Sequence, residues 1–137
     1  MIIVLCGLPG SGKTTLSYEL SKKYDAKAYS YDDFLQSNKG ETLKDFYQYL
    51  YQQALVENII IDTINLRVKI RLSLLKSLKD IKKSKILIVM TTPVEECVRR
   101  NNKRQRKDCV TDSMIYYLNN EYEPPTFDEG WDEILYY

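Results

Sequence analysis

Residues Gly7-Leu8-Pro9-Gly10-Ser11-Gly12-Lys13-Thr14 form a GxxxxGK[ST] loop directly after an apolar run that starts at Ile2. Glycines at Gly7, Gly10 and Gly12 let a backbone curl with its N–H groups turned inward, because glycine enters φ > 0 without a Cβ penalty. Lys13 then adds a point charge toward β- and γ-phosphates, and the Thr14 hydroxyl supplies a ligand for a bridging Mg²⁺. A helix opening at this point aims its positive end at the same anion. Pro9 through Thr15 is therefore the candidate cradle for the phosphates of a nucleoside triphosphate, ATP or GTP.

The alternative is a glycine turn that merely contains a lysine, and context separates the two. Ile2-Ile3-Val4-Leu5-Cys6 reads as a buried strand, and Leu16, Leu20 and Tyr24 recur at helical spacing after the loop. Strand, loop and helix follow in the order the motif requires.

Composition adds bounds. A chain of 137 residues fits one domain spanning the whole sequence. The net charge of +1 is uninformative, but Arg99, Arg100, Lys103, Arg104, Arg106 and Lys107 crowd one stretch while the segment from Glu121 to Glu133 is acidic. Cys6, Cys97 and Cys109 are odd in number and lack C-x-x-C pairing, which argues against a disulfide framework or zinc site and for the cytoplasm. With no histidine in the sequence, acid–base work falls to carboxylates. No run approaches the ~20 apolar residues that span a bilayer, so no membrane partner is expected.

Apolar runs predict strands at Ile2 to Cys6, Lys27 to Tyr31, Asn58 to Ile61, Lys85 to Met90 and Glu133 to Tyr137. Helical patterns predict Lys13 to Tyr24, Glu41 to Val56, Leu66 to Lys79, Pro93 to Lys103 and Thr111 to Tyr122. Such alternation with continuously apolar strands implies an α/β fold, a parallel sheet covered on both faces.

In such sheets ligands sit beyond the carboxyl ends of the strands. The second strand leads into Tyr31-Asp32-Asp33-Phe34, where one carboxylate can accept the proton of an attacking hydroxyl and the other cap the following turn; Asp32 is read as base and Asp33 as cap. The third ends Ile59-Ile60-Ile61-Asp62, and Asp62 either orients Mg²⁺ or caps the helix near Leu66. After the fourth, Arg100 and Arg104 share a helical face and can close over donor phosphates, the alternative being a solvated face. The many tyrosines on helix faces fit packing better than a base-stacking platform.

Together, GLPGSGKTT, YDDF, IIIDTIN, the Arg100 to Arg104 stretch, Tyr122-Glu123-Pro124-Pro125 and Glu129-Gly130-Trp131-Asp132-Glu133-Ile134 resemble the polynucleotide 5′-kinase branch of the P-loop kinases. The resemblance implies a five-stranded sheet ordered 2-3-1-4-5 with a short arginine-rich lid. It also implies donor-phosphate and Mg²⁺ contacts from Lys13 and Thr14, Asp32 as general base, and Arg100 and Arg104 as lid arginines. Pro125 to Phe127 would lie near the donor base. Two departures stand out: Ile64 replaces a threonine in the third-strand signature, and Leu35 stands where a family member has an acceptor-contacting arginine. The similar tail also occurs in kinases of aminoacylated transfer RNA.

The reading is thus an Mg²⁺-dependent kinase moving the γ-phosphate of ATP or GTP to a 5′-hydroxyl of single-stranded DNA or RNA. Its rivals are a small-molecule, nucleoside or tRNA-linked kinase, and a nucleotide-binding switch without phosphotransfer.

Overall fold

A computed structural model describes residues 1–105 and 109–137. Arg106 and Lys107 of the basic run lie outside the described residues.

The strands are β1 (Ile2–Cys6), β2 (Ala26–Tyr29), β3 (Asn58–Ile61), β4 (Lys85–Val89) and β5 (Glu133–Tyr136). They pair in parallel in the order β2-β3-β1-β4-β5, as the resemblance implies. Around them run α1 (Lys13–Tyr24), α2 (Tyr31–Gln36), α3 (Leu43–Val56), α4 (Val68–Ser77), α5 (Val94–Asn102) and α6 (Asp112–Glu121). A parallel strand needs a crossover to its neighbour, so the helices fall on the sheet faces.

Alternation along β1 divides the core in two. Ile2, Val4 and Cys6 face a large cluster with Phe46, Leu50, Leu74 and Trp131, whereas Ile3 and Leu5 face Leu16 of α1. All five β1 residues are at most 2% exposed, as a central strand covered on both faces must be.

The second strand is shorter than its apolar run suggests. Ser30 is extended and its hydroxyl accepts from the Asp33 N–H at 3.2 Å, so it caps a helix that starts at Tyr31. Asp33 is therefore not the cap; its backbone is capped by Ser30, and its carboxylate sits in the first turn. Elsewhere the elements shift by one or two residues, as Thr42 and Thr111 take the cap positions of α3 and α6.

The tail is tied down by one buried ion pair. Arg71 is fully buried on the core face of α4, and its guanidinium donates to both Glu129 oxygens at 2.8 and 3.1 Å. It also donates to the carbonyls of Asn65, Leu66 and Glu123. Glu129 accepts further bonds from Trp131 Nε1 at 3.0 Å and the Thr126 N–H at 3.1 Å. Burial pushes the Glu129 carboxyl up, but the hydrogen bonds from Arg71, Trp131 and Thr126 outweigh it and leave the group below its ordinary value of 4.5. The motif Glu129-Gly130-Trp131 is thus part of a clamp between tail and α4.

Removing one partner of a buried pair strands the other charge, so Glu129→Gln should lower the unfolding free energy in urea by about 3 kcal/mol. Because the folded pKa is depressed, the stabilisation is present above the unfolded value near 4.5 and disappears as pH falls below it. The variant should accordingly lose less stability than the parent as pH falls through the unfolded value of 4.5 and then the lower folded one.

Candidate functional site: a nucleotide cleft at the carboxyl edge of the sheet

The connection after β1 runs to β2 on one side, and that after β3 crosses to β4 on the other. A crevice therefore opens beyond the carboxyl ends of these neighbouring strands, where open α/β sheets bind ligands.

The glycine loop is held there by its neighbours. Gly7 donates to the Ile64 carbonyl at 2.9 Å, and the Thr92 hydroxyl donates to the Ser11 carbonyl at 2.8 Å. Gly10 and Gly12 adopt φ of 83° and 98°, which L side chains rarely tolerate. Gly7 has a different reason: an added Cβ would lie 2.7 Å from Met90 Cγ and Ser11 Oγ, so space rather than φ demands glycine. At Gly10 an added Cβ would collide with the Cys97 carbonyl, so α5 rests against the loop backbone.

Lys13 Nζ donates to the Leu8 carbonyl at 2.8 Å, folding its charge over the loop. Burial lowers its pKa from 10.5 to about 8, against an opposing pull from Asp62. The Thr14 hydroxyl donates to Asp62 Oδ2 at 3.1 Å, with Ser17 Oγ 3.5 Å from the same oxygen. Asp62 does not cap the next helix, where Arg67 occupies the cap position. A hydroxyl and a carboxylate converging beside the lysine are the hard oxygen donors that suit Mg²⁺. Among the described residues no cluster of three or more His, Cys, Asp or Glu could hold a metal ion.

A cleft of about 790 Å³ continues from the loop, lined by Gly10, Ser11, Gly12 and Thr15, by Glu96 and Arg100 of α5, and by Arg104, which lies past the end of that helix at Asn102 and so shares no helical face with Arg100. Arg100 Nη1 would lie 3.4 Å from a Cβ at Gly12. Its Nε donates to Glu96 Oε1 at 3.0 Å, and Arg99 donates to both oxygens of Glu96. Hydrogen bonds from Arg99 and then Arg100 hold the Glu96 carboxyl down to about 2. Tyr137 and Thr91 line the cleft; Pro125 and Phe127 do not. Pro125 is buried and Phe127 is 63% exposed.

Asp32 lies in the first turn of α2 on the same sheet edge, and its carboxylate pairs with no described residue. It does not line the cleft. The Asp62 N–H donates to the Tyr29 carbonyl at 2.8 Å, which links the two segments bearing these acids. Leu35, in the same short helix as Asp32, is 38% exposed.

Two roles escaped the sequence reading, although Asn65 fits the third-strand signature. Asn65 is buried with φ of 47°, and its amide donates to the Leu5 carbonyl at 2.8 Å and to Thr63 Oγ1 at 2.6 Å. It locks the turn after Asp62 against the end of β1. Glu96 gave no signal beyond its spacing of four from Arg100.

The sheet order, glycine loop, Thr14–Asp62 pair and arginine-bearing helix together define a nucleotide-binding protein of the P-loop kinase fold. Solved structures agree. Kti12 of Chaetomium thermophilum in complex with ADP-AlF3 superimposes with a TM-score of 0.76 at 22% identity over 100% of this chain and 88% of that one. A fungal RNA kinase gives 0.71 at 17% identity over 98% and 72%. The APS kinase CysC of Mycobacterium tuberculosis in complex with AMPPNP and APS gives 0.63 at 19% identity over 98% and 87%. The model of the KTI12 family, described as chromatin associated protein KTI12, matches residues 1–136, and the chain belongs to that family. An L-seryl-tRNA(Sec) kinase of Methanococcus maripaludis is 25% identical over 96% of this chain, which spans only 56% of that relative. Among the described residues no helix is long and apolar enough to cross a membrane.

A phosphate restores the Lys13 charge that burial disfavours, so nucleotide binding should raise its pKa. Titration of AMPPNP near pH 8 in buffers of different ionisation enthalpy should therefore show proton uptake, absent in Lys13→Met, which should bind at least tenfold more weakly, roughly the loss expected for one desolvated charge contact.

Proposed function

We propose that this chain is an Mg²⁺-dependent phosphotransferase that moves the γ-phosphate of ATP or GTP to a hydroxyl presented by a nucleic acid, with a single-stranded 5′ end as the acceptor. The observation that carries the proposal is the convergence of Thr14 and Asp62 at 3.1 Å beside Lys13, with Arg100 reaching toward Gly12 from the opposite side. Likeness in sequence to a seryl-tRNA(Sec) kinase supports a nucleic-acid-borne acceptor, while the similar solved structures include kinases of RNA and of small molecules alike.

In this reading backbone N–H groups of residues 9–15 and the Lys13 ammonium bind the donor phosphates. Mg²⁺ held by Thr14 and Asp62 would neutralise charge on the phosphate oxygens. Asp32 accepts the proton of the acceptor hydroxyl as its oxygen bonds to the γ-phosphorus. The bond from that phosphorus to the β-bridging oxygen breaks, and the diphosphate leaves with the electron pair. Arg100 and Arg104 offset charge on the moving group, for which planar guanidinium forks are well shaped.

Leu35, which offers no charge to an acceptor phosphate, weighs against a polynucleotide end without touching phosphotransfer, and leaves a small-molecule, nucleoside or tRNA-linked acceptor as the second reading and a nucleotide-dependent switch as the third. The first reading predicts γ-labelled phosphate on 5′-hydroxyl RNA, on 5′-hydroxyl DNA or on tRNA. Asp32→Asn should reduce labelling by about 10²- to 10⁴-fold, the range for a general base. Affinity for AMPPNP should stay within about twofold, since the base acts on the acceptor. Nucleotide consumption without a labelled acceptor would favour the switch.

A further inference from the structure

Glu96 stands between two adjacent arginines and treats them differently. Arg99 spends Nε and Nη2 on its two oxygens, which turns that guanidinium onto the helix surface. Arg100 gives only Nε, at 3.0 Å, and neither of its terminal nitrogens is engaged by a described residue. One of them, Nη1, is the atom that reaches Gly12. A guanidinium has five N–H donors in a fixed plane, so anchoring Nε fixes where the other four point.

The helix bearing these groups is itself registered on the loop. Gly10 abuts the Cys97 carbonyl, one residue from Glu96, and the Thr92 hydroxyl holds the Ser11 carbonyl at 2.8 Å. A carboxylate fixed relative to the phosphate cradle thus anchors an arginine that faces it.

We propose that Glu96 is a positioning residue for phosphoryl transfer, occupying Arg99 and orienting the terminal nitrogens of Arg100 toward the transferring group. The inference rests on the phosphotransferase reading and adds a residue to it. Glu96 is an anion in a cleft meant for a polyanion, so it opposes ground-state binding while it supports the arginine that acts on the transition state. An exposed ion pair spaced four residues apart on a helix contributes little to folding, so a structural role alone would move neither quantity.

The test compares ADP with aluminium fluoride, a mimic of the transferring phosphoryl group, against AMPPNP, each with Mg²⁺, by calorimetry. Glu96→Gln should bind AMPPNP as tightly as the parent or up to about threefold more tightly, because one anion is gone. It should bind ADP–aluminium fluoride about tenfold more weakly, because a pre-positioned donor is loosened. Arg99→Gln should change both by less than about twofold, since Arg99 faces away from the cleft. Unfolding midpoints should agree within about 2 °C.

Equal affinity of parent and Glu96→Gln for the mimic would overturn the proposal, as would an equal loss in Arg99→Gln. If the parent itself binds the mimic no more tightly than AMPPNP, the phosphotransferase reading and the role of Glu96 both fall. A preference shared by parent and variant removes Glu96 alone.

Discussion

The site depends on the close approach of Gly10 to the carbonyl of Cys97. With no side chain between them, the helix after β4 lies directly against the loop after β1. Arg100 can then reach across to Gly12, and the Thr92 hydroxyl can hold the loop at Ser11. Glycine in the loop therefore serves two purposes: it allows the positive φ that turns N–H groups inward, and it admits a second element that brings positive charge from above. Loop and helix share one register.

Beneath this contact, long-range hydrogen bonds hold the edge that carries Asp62. Asn65 pins the turn after Asp62 to Leu5, and Gly7 reaches the same turn through Ile64. Arg71 closes the structure from below by binding the carbonyls of Asn65 and Leu66 and drawing in Glu129. Of the sequence features that resemble nucleic acid kinases, the tail is accounted for by this packing. Its Glu129 and Trp131 are joined to each other and to α4 rather than to the cleft. The acidic tail thus bears on the site indirectly, through the turn that follows Asp62.

The sheet was legible because each central strand is a continuous apolar run, and the phosphate loop because its glycines and lysine are contiguous. Asp62 was legible for the same reason, as an acid at the end of Ile59-Ile60-Ile61. Contacts between distant residues left no such trace: Arg71 meets Glu129 across 58 positions, and Asn65 meets Leu5 across 60. A signal for Arg71 did exist, since it shares the helical spacing of buried Leu74, Leu75 and Leu78 and so occupies a core position. The segment after β2 misled because tyrosine suits both strand and helix. The hydroxyl of Ser30, rather than the apolar pattern, decides where extended backbone stops. Tyr137 and Thr91, which no motif singled out, line the cleft because β5 and the end of β4 lie beside the loop.

The central claim is that the cleft delivers a phosphoryl group to a hydroxyl rather than to water. The most direct measurement is nucleotide turnover in ¹⁸O-labelled water with Mg²⁺ and 5′-hydroxyl RNA, reading the isotope in every phosphate product by mass spectrometry. The account predicts phosphate esterified to the RNA, free of solvent ¹⁸O, as the main product. Release of the γ-phosphate as inorganic phosphate bearing one solvent ¹⁸O atom, with the RNA unmodified, would contradict it and identify water as the acceptor.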